Sequence, residues 1–301
     1  MLAIARYAVK GPMHAATVAG ILAVLSLFIP LLSILSGAIV SLIILTQGMV
    51  SGTRVILVSI VGITAISYML TQSLIMGLSI GLVQWLPVMV LAEVLRRTRS
   101  ISFTLVVGMG LAMLAVILQF VLWPGAEAAL MEILRLMFQD MQQQPGIEMA
   151  QLETVLQNVV HSMTILMIAV MFFIFAVSLL IGRWYQSRLS ESSGFRAEFY
   201  AIRFGKGIAV LALILGVASM LLQQNWLTAL LMVVALTFLF QGLAVVHSWS
   251  KHYNKSALLG LLYMLMIIFP QVAGVTAMLG VVDNWTDFRA KLKSVPVNTD
   301  D

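Results

Sequence analysis

The chain has 301 residues, of which 61% belong to the AVILMFWYC set and 10% are charged. Soluble domains are nearer about 45–50% apolar with about 25% charge, so the composition excludes a large water-soluble domain and indicates an all-α, polytopic transmembrane helical bundle. The absence of cysteine excludes disulfides, thiolate nucleophiles and cysteine metal sites, and in a bilayer protein the net charge of +5 speaks of orientation, not of nucleic acid.

A membrane-crossing helix needs roughly 20 mainly apolar residues. Nine segments qualify in chain order: about 14–29, 31–46, 55–71, 73–91, 101–123, 158–182, 207–223, 226–247 and 257–281. The first opens with "HAATVAGILA", which sets Ala15, Ala19 and Ala23 four residues apart, flanked by Ala16 and Gly20. Such a stripe lets another helix approach closely, either the chain's own or a partner's. "GLSIG" (77–81) offers a second small-residue face within the chain. Pro30 separates the first two spans, which are two short helices or one kinked helix, so eight spans are the alternative.

Charge favours nine. With a cytoplasmic N-terminus, the inner segments carry thirteen cations and three acids, while the outer loop 124–157 carries Arg135 and five acids. Lysine and arginine are retained on the cytoplasmic side, so the nine-span arrangement fits the charge. The N-terminal Arg6 and Lys10 before an apolar run read as part of an uncleaved anchor. Nine crossings leave Arg289, Lys291 and Lys293 outside, beside Asp283 and Asp287. A break at Pro270 into a re-entrant pair is the other solution and returns the tail inside.

Two connections carry their own pattern. In the outer loop, Leu130, Ile133, Leu134, Met137, Phe138 and Met141 share a helical face, "QQQPGIE" (142–148) turns, and a second stripe runs on from Leu152. This is an external amphipathic hairpin, either an interfacial helix or a lid. The inner connection 191–206 places Phe195, Phe199 and Ile202 on one face and arginines elsewhere, as suits an anionic leaflet. The organisation read from this is a six-span membrane domain (1–182), a cytoplasmic amphipathic connector (183–206) and a C-terminal three-span region (207–301).

No catalytic set assembles. "FGKGI" (204–208) lacks the spacing of a phosphate loop, and there is no HExxH or GxSxG. His247 and His252 are five residues apart, which splits them around a helix, so no metal and no cofactor is expected. Polar and aromatic groups from three spans, namely Tyr68, Gln72, Gln119, Trp123, His161 and Thr164, approach the outer third at similar depth. They either converge on a small-molecule site or each satisfy a helix end. Gln84, Gln241 and Gln271 stand alone and read as interhelical hydrogen-bond glue, worth about 0.6 kcal/mol each.

"GFRAEFYAIRFGKG" and "LGVVDNWTDFRAKL" resemble the YybS-like family of bacterial multi-pass membrane proteins. The family motifs fall on Phe195 and Arg196, and on Asp283, Trp285, Phe288 and Arg289. The first six spans resemble the S components of energy-coupling-factor transporters, which dock on a membrane scaffold through a small-residue stripe that Ala15, Ala19 and Ala23 match. Three further spans and the lack of a vitamin-pocket motif depart from that pattern. The rod-shape scaffold protein MreD is also distantly similar. These resemblances imply a small-molecule-binding, transporter-type subunit that needs an energising partner, a membrane scaffold or ATPase chain. The alternative is a ligand-free scaffold for an envelope or division assembly.

Overall fold

The computed structural model describes residues 2–138, 149–190 and 194–290. Among them the secondary structure is entirely helical, from α1 (Leu2–Ala8), α2 (Pro12–Leu25), α3 (Leu32–Gln47), α4 (Met49–Thr71), α5 (Leu74–Thr98) and α6 (Ile101–Leu122) to α7 (Ala126–Met137). There follow α8 (Met149–Leu189), α9 (Gly194–Tyr200), α10 (Lys206–Leu222), α11 (Asn225–His252), α12 (Ala257–Ile268) and α13 (Gln271–Thr286). Helices α4, α5, α6, α8 and α11 are long and apolar enough to cross a membrane, while α2, α3, α10 and α12 are apolar but shorter. The chain is thus a multi-pass, bilayer-embedded protein. Pro30 lies in the turn between α2 and α3, which are separate helices.

The helix limits follow from local chemistry. Ser73 and Ser100 cap α5 and α6, their hydroxyls accepting from Met76 and Phe103 amides. Gln72, Arg99 and Gln223 end α4, α5 and α10 in the left-handed conformation. Two helices serve as hubs because they are buried all round. Every residue of α3 from Ser36 to Leu45 is buried, against α2, α4, α5 and α8. In the C-terminal half, α11 is buried throughout Thr237–Val246, against α6, α8, α10 and α13. Most buried apolar residues form one core from Ala8 to Ala277, and Ala5, Ala38, Leu42 and Tyr185 form a second, smaller cluster.

Lipid is as apolar as leucine, so close packing and hydrogen bonds hold such helices together. The Trp85 indole donates to the Ser36 hydroxyl at 3.0 Å, and that hydroxyl donates to the Ala19 carbonyl at 2.8 Å. The small stripe is therefore spoken for. Ala15, Ala19 and Ala23 are completely buried in the core beside α3 and α4. The partner-docking reading of these three alanines gives way to self-packing, because the chain's own helices fill the groove.

Contacts define two ends of the bundle. Gln47 donates to the Val9 carbonyl, Gln186 to the Leu45 carbonyl, and the Arg203 amide to Ser102. The N-terminus and the connector around α9 thus share one end, the cation-rich one. At the other end, His161 and Asn225 meet beside Glu127. There α7 lies along α8 with an Arg135–Glu153 ion pair and with Ile133, Leu136 and Met137 exposed, as in an interfacial helix. Met141 and the turn 142–148 of the expected hairpin lie outside the described residues.

The last of the nine apolar segments is a broken pair of helices. Phe269 and Pro270 separate α12 from α13, since Pro270 has no amide to continue the ladder. The pair starts beyond α11, whose Lys251 lies over the Tyr200 ring, and it ends with Arg289 donating to the Tyr200 and Ile202 carbonyls. Both ends of the pair therefore sit beside the connector. Arg289 thus lies with the cations of the connector. Close approach of α13 to α11 relies on Gly242 and Gly280, where a Cβ would strike the Thr276 and Phe238 carbonyls.

Two outcomes follow. In sealed cells expressing single-cysteine variants, Ala290→Cys and Ala197→Cys label from the same side and Ala128→Cys from the opposite one; joint labelling of Ala290→Cys with Ala128→Cys would restore the ninth crossing. Ala19→Leu overfills the α2–α3–α4 contact and lowers stability in detergent by about 1–3 kcal/mol, read as a lower Tm of the isolated chain.

Candidate functional site

The segment "GFRAEFYAIRFG" (194–205) turns the chain from α8 into α10. Phe195 and Phe199, four residues apart, face inward from α9, while Arg196 is exposed. The short helix is tied down by Arg183 of α8, whose guanidinium donates to both Glu198 oxygens at 2.9 and 2.5 Å. A bidentate pair of this kind fixes orientation as well as distance.

Between α8, α9, α11 and α12 lies a cavity of about 610 Å³. Its walls are aromatic: Trp184 from α8, Phe195, Phe199 and Tyr200 from the connector, His247 from α11 and Tyr263 from α12. His247 organises this wall. Its Nδ1 is 2.8 Å from the Leu243 carbonyl, which can only accept, so Nδ1 carries the proton and Nε2 is left to accept from the Tyr263 hydroxyl at 3.4 Å. The imidazole also meets Phe199 edge-on at 5.4 Å between centroids. Arg188 and Arg196 complete the lining, Arg188 lying over the Trp184 ring at 6.0 Å. The site joins aromatic surface to positive charge where the bundle meets the polar boundary. That is the chemistry of an amphiphile or aromatic anion site.

Behind the cavity, a polar cluster locks the connector to α11 and α13. Gln241 is wholly buried; its Oε1 accepts from the Phe204 amide at 3.0 Å and its Nε2 donates to Asp283 at 2.9 Å. Asp283, also wholly buried, pairs with Arg289 at 2.6 Å. Asn284 accepts from the Gly205 amide at 2.9 Å. Gly205 holds φ at +87°, where a side chain is strained, and this conformation lets the amide reach Asn284. Arg203 donates to Asp287 and to the Asp283 carbonyl. Its hydrogen bond holds the Asp287 carboxyl below the ordinary aspartate range. That contact is present at neutral pH and is lost only as pH falls through the lowered value.

The family-motif residues divide between these two features. Phe195 lines the cavity wall and Arg196 its mouth, while Asp283 and Arg289 form the buried pair. Phe288 packs edge-on against Trp249 at 5.6 Å, and Trp285 is exposed.

The six outer-third residues fall into separate places. Gln119 donates to the Thr164 carbonyl at 3.4 Å, joining α6 to α8. His161 lies instead with Glu127 and Asn225. Tyr68 and Gln72 end α4, which packs on α2, α3 and α5, and Trp123 is exposed at the end of α6. The sequence pattern missed His247 and Tyr263 as partners, because they are 16 residues apart and meet only through the reversal between α11 and α12. Gln241 was visible as a lone amide in an apolar run. Among the described residues no group of three or more histidines and acids is placed to hold a metal.

A family model described as "Predicted membrane protein (DUF2232)" matches residues 17–284. No curated protein and no solved structure matches the chain.

Removing one member of a buried ion pair leaves the other charge unpaired, at a cost of about 3–5 kcal/mol. Arg289→Gln should therefore lower the Tm in detergent sharply. Asp283→Asn combined with Arg289→Gln should recover much of the loss, because no lone charge remains. Equal losses in the single and double variants would show that the pair is not the source of the effect.

Proposed function

The chain belongs to this family of membrane proteins, and we propose that it acts as a ligand-binding subunit of transport type, energised by a separate chain. The observation that carries the reading is the 610 Å³ cavity at the cation-rich end, walled by four helices and lined with aromatic rings and two arginines. Its volume falls in the range of small-molecule sites, about 300–1,000 Å³, and a mainly apolar wall with a few placed polar groups is their usual make-up. The sequence offers no nucleotide-binding motif, so work against a gradient would draw on ATP used by another chain. This agrees with the likeness of the first six spans to S components. By the positive-inside rule the cavity faces the cytoplasm of a bacterium.

A scaffold role without ligand is the second reading, and one feature favours it. A groove of about 360 Å³ runs between α2 and α4 on the side away from the alanine stripe, and in it Gly20 and Gly62 face open space.

The two readings separate when the chain is purified from native membranes in mild detergent and its eluate is analysed by native mass spectrometry. A transport subunit carries a small-molecule adduct, lost in Phe199→Ala, and brings ATPase chains with it. A scaffold carries no adduct and brings envelope or division proteins, lost when Gly62→Leu fills the groove.

A further inference from the structure

We propose that the cavity between α8, α9, α11 and α12 binds an anionic phospholipid drawn from the surrounding bilayer, with its phosphate held by Arg188 and Arg196. This rests on reading the cavity as a ligand site and names what that site takes.

Charge is the first argument. Arg188 and Arg196 stand at the mouth, and Lys251 lies close by over the Tyr200 ring. The carboxylate nearest in sequence among the described residues, Glu198, is occupied by both ends of the Arg183 fork. The mouth is thus electropositive, and guanidinium groups match a phosphate with two parallel hydrogen bonds. The Arg188 guanidinium lies over the Trp184 ring at the rim.

The second argument is the wall. A free phosphate ion would satisfy the rim and leave Phe195, Phe199, Leu259 and Tyr263 facing an unfilled apolar space. A lipid fills both parts, with its headgroup at the arginines and its glycerol and upper acyl carbons against the rings.

The third argument is access. No residue of α12 is buried, and Leu258, Leu261 and Met264 are exposed on the helix that supplies Leu259 and Tyr263 to the cavity. In a bilayer that apolar surface is covered by lipid, so the cavity borders the membrane itself. A lipid reaches it by lateral movement, with its chains still in hydrocarbon.

The test uses the purified full chain in a neutral detergent. Short-chain phosphatidylglycerol, the matching phosphatidylcholine and inorganic phosphate are titrated separately. Thermal melting gives the effect on stability, and native mass spectrometry gives the number of adducts. Phosphatidylglycerol should raise the Tm and bind one to a chain, with the other two much weaker. Arg188→Gln with Arg196→Gln should weaken it by about tenfold or more. Both side chains are exposed, so the unliganded Tm should stay at the wild-type value, which checks the fold. Arg188→Lys with Arg196→Lys should restore part of the affinity.

Equal binding of phosphatidylcholine would overturn the proposal in favour of an apolar site, and equal binding of inorganic phosphate in favour of a free-anion site. Unchanged phosphatidylglycerol binding in the double glutamine variant would reduce it to general interfacial attraction. A neutral amphiphile recovered from native membranes and lost in Phe199→Ala would sink the lipid-phosphate assignment and leave the ligand-binding reading standing. No adduct of any kind would remove both.

Discussion

Five backbone polar groups between Tyr200 and Gly205 have no helix to satisfy them and are paired by side chains from four other places in the chain. Ser102 accepts from the Arg203 amide, Gln241 from Phe204 and Asn284 from Gly205, while Arg289 donates to the carbonyls of Tyr200 and Ile202. A buried amide or carbonyl left without a partner costs about 1–3 kcal/mol, and non-helical chain at the edge of a membrane must solve this locally. The solution here fixes more than the connector. It sets the start of α10, brings α13 back to the end from which α12 departed, and buries Asp283 where Arg289 and Gln241 can reach it. It also holds α9 in place as one wall of the cavity.

The helices of the N-terminal half follow closely from the apolar runs, because a span is long and its composition extreme. The final pair was less legible. Charge orients a segment only when one sign dominates, and Asp283, Asp287 and Arg289 lie side by side in mixed order. Pro270 marked the break, but the direction taken after it is set by Arg289 meeting carbonyls 87 and 89 residues earlier, which no local pattern encodes. Gln241 shows the same limit. A single amide in an apolar run announces a hydrogen bond; it does not say that the partners are one backbone amide and one carboxylate.

The cavity was half visible. Phe195 and Phe199 stand out at helical spacing, and Arg196 with them. His247 and Tyr263 do not, since each is an isolated polar ring on a different helix. The small-residue stripe on α2 teaches the reverse lesson. Spacing alone identifies a face that allows close approach. Which helix makes the approach depends on the fold, and Ser36 and Ser59 settle it by donating to the carbonyls of Ala19 and Ala16.

Helix α8 runs unbroken for 41 residues, about 60 Å at 1.5 Å per residue, against a hydrocarbon thickness of about 30 Å. Its first turns are clamped to α7 through Glu153 and its last turns to α9 through Arg183. A continuous helix neither shortens nor telescopes, so it behaves as a tie rod between the two faces of the membrane. Between the two clamps it packs on α3, α5, α6 and α11, which hold it along its length. The two amphipathic segments are thus joined to opposite ends of one continuous element.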